Sequence, residues 1–217
     1  MKAKIFRNFS LFVTTNYLFL FILGGITVFP LVYLLYGSFI HPADYLEYGL
    51  TFPLKRISLA NYKLILFDDP RLLRSFGISV YVTVLGTVLS TIVTGMLAYP
   101  LSKKDLPFKS GLTFMIFFTM LFNGGLVPTY LVVRGVGLFN NLLALILPTL
   151  VGAWYVFLYR NFLYSIPASL EESAYMDGAN EITIFWRIMI PLSKPIFMTL
   201  GLFYAVMYWN KWFDALI

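Results

Sequence analysis

Five stretches without a charged side chain constrain this chain most: Asn8–Ile40, Ser75–Ser102, Ser110–Val133, Gly135–Tyr159 and Pro195–Asn210. A hydrocarbon core about 30 Å thick takes roughly 20 apolar residues in helical form. The first four runs supply that length, and the fifth, closed by Lys211 and Asp214, is shorter. Lipid gives the backbone no hydrogen-bond partners, so a crossing segment must be a helix or part of a closed barrel. The runs lack the period-two alternation of a barrel strand. The expected fold is therefore all-α, a polytopic transmembrane helix bundle with five spans. Composition agrees, because 59% of the side chains are apolar and only 12% charged, whereas a soluble domain carries about twice that charge.

The spans are placed at about Thr15–Tyr36, Ile78–Leu101, Leu112–Leu131 and Asn141–Tyr159, with the fifth starting at Pro195. Asn123-Gly124-Gly125 and Pro128 interrupt the third. Lys2, Lys4 and Arg7 ahead of an apolar run imitate a signal peptide. That run is too long for one and ends at no small-x-small site, so it reads as a retained first span. Residues 41–76 carry Pro42, Pro53, Asp68-Asp69-Pro70 and five basic residues, which suits a surface loop with a short helix near Leu59–Leu66. Gly77, Gly86 and Gly95 recur every nine residues and so alternate faces, which predicts no single glycine seam.

The net charge of +6 does not point to nucleic acid, because Lys and Arg sit at span ends and form no basic stripe with interleaved aromatics. A lipid bilayer with anionic headgroups is the simpler partner. Basic residues favour the cytoplasmic side of short loops. With the N-terminus cytoplasmic, Lys103, Lys104, Lys109, Arg160, Arg187 and Lys194 fall inside with the N-terminal three. One His, no Cys and no acids within the runs leave little from which to assemble a reaction centre or metal site. No G-x-x-x-x-G-K-[ST] phosphate loop is present, so any nucleotide energy must come from another polypeptide.

Between the last two spans lies a polar segment, residues 165–194. Pro167 is placed to open a short helix at its first position, on which Leu170 and Ala174 share a face with Ser173 beside them. Glu172 points elsewhere and is free for a partner's Arg. Ser169 and Glu172 also read as a capping box, which would instead occupy Glu172 on its own helix. Gly178 stops the helix in the left-handed conformation. Asn180 can cap a second helix with Ile184, Phe185, Ile188 and Met189 on one stripe, ended by Pro191. The bland reading is an interfacial amphipathic helix without a partner.

Glu172-Ser173-Ala174-Tyr175-Met176-Asp177-Gly178 followed by Ile188-Met189-Ile190-Pro191 resembles the "EAA…G…I-x-L-P" loop of permease subunits in binding-protein-dependent ABC importers. Ser173 replaces the first Ala and Ile190 the Leu, both within size class. Ile57–Tyr62, Asn123–Tyr130 and Trp209–Phe213 extend the resemblance to maltose-type carbohydrate permeases, in a branch associated with complex oligosaccharides. The resemblance implies that the 165–194 loop couples to an ATPase through Glu172, Ser173, Ala174, Asp177, Gly178, Ile188 and Pro191. It implies a second permease (identical or not), two ATPase subunits that use ATP and Mg, and an extracytoplasmic solute-binding protein. This chain would then bind no cofactor, be no enzyme itself, and reside in a bacterial-type inner membrane. The family has a sixth span after the Trp-Asn segment, so residues 1–217 are expected to form a single permease domain incomplete at its C-terminus.

Asn123, Trp154, Tyr155, Tyr204, Tyr208, Trp209 and Asn210 combine stacking faces with amides and hydroxyls, a mix that suits a sugar in a substrate pathway. Aromatics at span ends also form interfacial belts, and Asn also bonds across helices. A peptide or other nutrient is the alternative cargo. An ion-coupled transporter would need carboxylates at lipid depth, and the uncharged runs contain none.

Overall fold

Backbone self-sufficiency shows throughout the computed structural model, which describes residues 11–49 and 56–216. Among these residues there is no strand, only an isolated bridge between Ile40 and Ile57. Lys2, Lys4 and Arg7, and Pro53 and Lys55 of the surface loop, lie outside the described residues. The chain divides into two compact units, Met1–Ser75 and Phe76–Ile217.

The first unit holds α1 (Leu11–Ser38), α2 (Pro42–Tyr48) and α3 (Ala60–Lys63), the last running into a π turn, Leu64–Asp68. Nearly every side chain of α1 from Phe12 to Leu35 is exposed, apolar though it is. That pattern suits a helix solvated by hydrocarbon. The loop after it is tied down locally. Arg56 grips Asp44 through two nitrogens at 2.6 and 3.1 Å, and the Asn61 amide donates to the carbonyls of Ser38 and Ile40.

The second unit is arranged around α4 (Pro70–Ser102), which enters it at Phe76. Then come α5 (Lys109–Leu121), α6 (Leu126–Gly135), two 3₁₀ turns (Leu142–Leu145 and Leu147–Thr149), α7 (Ala153–Leu163), α8 (Ser169–Met176), α9 (Glu181–Ile184), α10 (Ile190–Leu192) and α11 (Lys194–Trp209). Among the described residues only α1 and α4 are long, unbroken apolar helices; up to five spans result when each bent pair counts as one. The pair α5/α6 turns by 119°, the 3₁₀ turns into α7 by 51°, and the 181–192 segment into α11 by 82°. The first break was legible: Asn123 accepts the Gly125 amide at 2.8 Å, and Gly125 takes φ 80°. Pro128 does not break α6. It sits in the first turn, where a missing N–H costs nothing.

The three glycines form no common seam: Gly77 is exposed, and Gly86 and Gly95 meet different side chains of α11. Gly86, Ser90, Thr94 and Ala98, however, recur every four residues on α4 and are buried, a small-residue ridge that glycines alone do not reveal. A second ridge, Thr87, Thr91 and Gly95, runs beside it. A Cβ at Gly86 would lie 2.8 Å from the Tyr208 ring, and one at Gly95 2.7 Å from Phe197. These contacts place α11 antiparallel to α4 at a separation that larger residues would prevent. Ser90 pairs with the Tyr208 hydroxyl at 2.8 Å and Thr94 with that of Tyr204 at 2.7 Å. Interhelical bonds of this kind contribute about 0.6 kcal/mol each at lipid depth.

Candidate functional site

The polar segment folds as a helical elbow. Helix α8 begins at Ser169, two residues after Pro167, whose carbonyl accepts the Leu170 amide at 3.2 Å. Ser169 is therefore inside the helix, not capping it, and no capping box forms. Glu172 is exposed and has no hydrogen bond or ion pair among the described residues. The helix stops with two bonds: the Gly178 amide donates to Tyr175 and the Ala179 amide to Ala174, at 2.9 and 3.0 Å. That pairing is a Schellman motif, and it requires the left-handed φ of 80° that Gly178 adopts.

Asn180 caps the second arm by accepting the Thr183 amide at 2.8 Å. Ile184, Phe185 and Met189 point into the core and Ile188 is half-buried against it. Pro191 does not end this arm. A π turn over Phe185–Met189, with the Ile190 amide on the Phe185 carbonyl, lets the helix pass through Pro191 to Leu192. The elbow's inner surface packs with Ala98 and Leu101 of α4, Val156 and Leu163 of α7, and Leu200 of α11. Ala174 belongs to this inner surface, so its small side chain lets α8 lie close on its own spans. Ser173, Met176 and Asp177 face outward with Glu172.

The elbow is held by a clamp that no local motif announces. Lys103, noted only as a basic residue at a span end, forms an ion pair with Glu171, sits 3.6 Å from Glu181 and lies 4.3 Å from the centre of the Tyr99 ring. The Tyr99 hydroxyl donates to Glu181 at 2.7 Å, and the Tyr175 hydroxyl donates to the other oxygen of the same carboxylate. The end of α4 thus holds both arms of the elbow. Burial pulls the Glu181 carboxyl upward, but the hydroxyls of Tyr175 and Tyr99 and the Lys103 ammonium more than offset this and hold it below the usual range. Burial and the Glu181 carboxylate push Tyr175 up to about 12. A recess of about 1160 Å³ opens here, with Lys103, Glu171, Glu172, Tyr175 and Trp186 in its lining.

The pathway candidates separate into two sets. Tyr204 and Tyr208 are buried, with hydroxyls committed to Thr94 and the Gly152 amide, and to Ser90 and the Ile146 carbonyl. Tyr155 is half-buried, its ring 4.5 Å from Tyr204. Trp154 and Trp209 are exposed, Trp209 edge-on to Phe76 at 5.9 Å. Asn123 and Asn210 are exposed, each with one amide atom bound to nearby backbone.

Apolar helices long enough to span a bilayer are thus joined to a clamped polar elbow with an exposed outer face, the architecture of a polytopic membrane protein. Residues 4–213 match the family of binding-protein-dependent transport system inner membrane components, and the chain belongs to it. It is an ABC-importer permease. Among its relatives is Protein LplC of Bacillus subtilis (strain 168), 43% identical over 202 residues that cover 93% of this chain and 68% of that one. Another is the polygalacturonan/rhamnogalacturonan transport system permease protein YtcP of the same strain, 40% identical over 93% of this chain and 70% of its own. A bacterial ABC transporter involved in the import of the acidic polysaccharide alginate superposes with a TM-score of 0.86 at 33% identity, covering 94% of this chain and 74% of that chain.

Proposed function

We propose that this chain is the permease of an ATP-driven oligosaccharide importer and that α8 seats a separate ATPase on the cytosolic side, where the N-terminus also lies. Glu172 carries this reading. It is an exposed carboxylate without a partner among the described residues, on a helix fixed by a Schellman stop, an Asn cap and the Lys103 clamp. A rigid elbow joined to three spans can transmit a push that a loose loop would absorb. In this scheme ATP and Mg belong to two ATPase subunits, a second permease completes the pathway, and an extracytoplasmic protein delivers the sugar. Trp154, Trp209, Asn123 and Asn210 would face the sugar, with Tyr155, Tyr204 and Tyr208 as the wall behind them. Two relatives support this cargo, one named for polygalacturonan and rhamnogalacturonan transport and the other for import of the acidic polysaccharide alginate.

The test is uptake and substrate-stimulated ATP hydrolysis by the assembled importer in liposomes, with oligogalacturonides, alginate oligomers, neutral oligosaccharides and peptides. Glu172→Arg is expected to abolish uptake and weaken ATPase assembly while the permease still inserts. Truncating one partner of a buried docking pair costs about 2–5 kcal/mol. Wild-type assembly and uptake in Glu172→Arg would remove the docking role, and a response to peptides alone would remove the sugar.

A further inference from the structure

A separate recess of about 750 Å³ lies between α5 and α7. The first two turns of α5 bring Lys109, Ser110 and Thr113 to it, and the last turns of α7 bring Phe157 and Arg160. Two cations therefore enter it, and among the described residues no carboxylate lines it or pairs with either one. Both approach one ring: Lys109 Nζ is 5.5 Å and Arg160 Cζ 5.7 Å from the centre of Tyr164. Arg160 also lies 4.8 Å from the Phe157 ring. Lys109 donates to the Lys103 carbonyl at 2.6 Å, which leaves two of its three donors for a ligand.

Two buried polar atoms here have no hydrogen-bond partner among the described residues, Arg160 Nε and Thr113 Oγ1. Leaving such a group unmet is unfavourable, the more so when it is charged. In addition, α5 opens without a side-chain cap, so its first amides contribute partial positive charge at the same place. The remaining wall is apolar. Phe114 and Phe117 continue from the cations along α5 and are exposed. A monoanion with a hydrocarbon tail uses both halves of this recess, whereas a free anion uses only one.

We propose that the α5/α7 recess is a binding site for an anionic phospholipid. Arg160 and Lys109 hold the phosphodiester, the Ser110 and Thr113 hydroxyls complete its bonds, and an acyl chain lies along Phe114 and Phe117. Basic pockets between membrane helices take such headgroups, with each Lys or Arg contributing about five-fold in affinity. The proposal requires only that these helices lie in a bilayer and is independent of what docks on α8.

The experiment is lipid retention by the assembled importer, counted by native mass spectrometry after release from nanodiscs of phosphatidylcholine doped with phosphatidylglycerol. Wild type should retain phosphatidylglycerol preferentially. Lys109→Gln with Arg160→Gln should weaken that retention roughly thirty-fold and leave phosphatidylcholine unchanged. Ser110→Asp suits the first turn of a helix and so preserves the fold, yet it sets a charge against the phosphate and should also lower retention. If the double variant fails to assemble, Ser110→Asp decides alone. Equal retention by wild type and Ser110→Asp would overturn the proposal. Displacement of phosphatidylglycerol by millimolar inorganic phosphate would also overturn it, in favour of a free-anion site.

Discussion

Lys103→Met is the sharpest probe of the elbow, because it keeps the stem of the side chain and removes only the charge. Lys103 and Glu171 are 21% and 18% exposed, between the extremes of surface and interior. An exposed pair contributes at most about 1 kcal/mol, and breaking a buried one costs about 3–5. At one-fifth exposure the loss falls between these, about 2 kcal/mol. The cation over Tyr99, 4.3 Å from its centre, adds about 0.5–1 kcal/mol. Glu181 is 57% exposed and 3.6 Å away, so its share is small. The total, about 3 kcal/mol, raises the population of elbow detached from α4 roughly a hundred-fold. Hydrogen exchange on the assembled importer should show the amides of α8 opening faster by that factor. Sugar carried per ATP hydrolysed should fall, because hydrolysis continues while the push is lost. Lys103→Glu combined with Glu171→Lys should restore part of both. If α8 protection stays within two-fold of wild type and the coupling ratio holds, the clamp does not transmit force.

Three further outcomes follow from the same geometry. Gly86→Ala puts a Cβ 2.8 Å from the Tyr208 ring, whose hydroxyl is tied to Ser90; overpacking of about 1–3 kcal/mol should lower the melting temperature in detergent, and no change would mean that α4 and α11 are loosely packed. The folded Tyr175 is raised to about 12, so its contribution is complete below the unfolded value near 10 and is lost as pH rises to about 12; tyrosinate absorbance followed with α8 exchange should show both changing together across that window. Trp209→Ala and Asn210→Ala should lower sugar uptake with ATPase assembly intact, and unaltered uptake and sugar preference in both would exclude them from the pathway.

Features that depend on neighbours along the chain are legible in the residues alone. Uncharged runs specify lipid-depth helices because the backbone must satisfy itself there. Gly178 and Asn180 specify a stop and a start because both act within one turn, through bonds to residues three to five positions away. The break at Asn123-Gly124-Gly125 is local in the same sense.

Which faces meet is set by how the helices cross. Lys103 becomes a clamp because the fold brings Glu171 to it across 68 positions, and Ser90 finds Tyr208 across 118. The α4 ridge acts as a seam because α11 lies on it; by period alone its Ser, Thr and Ala are ordinary helix residues. Ala174 was legible as small, but its facing inward was not, since the direction depends on the core beneath α8. Pro191 stays inside a helix because the π turn before it shifts the register of the backbone bonds. Pairings this distant depend on how whole helices cross, and no local window of the chain contains both partners.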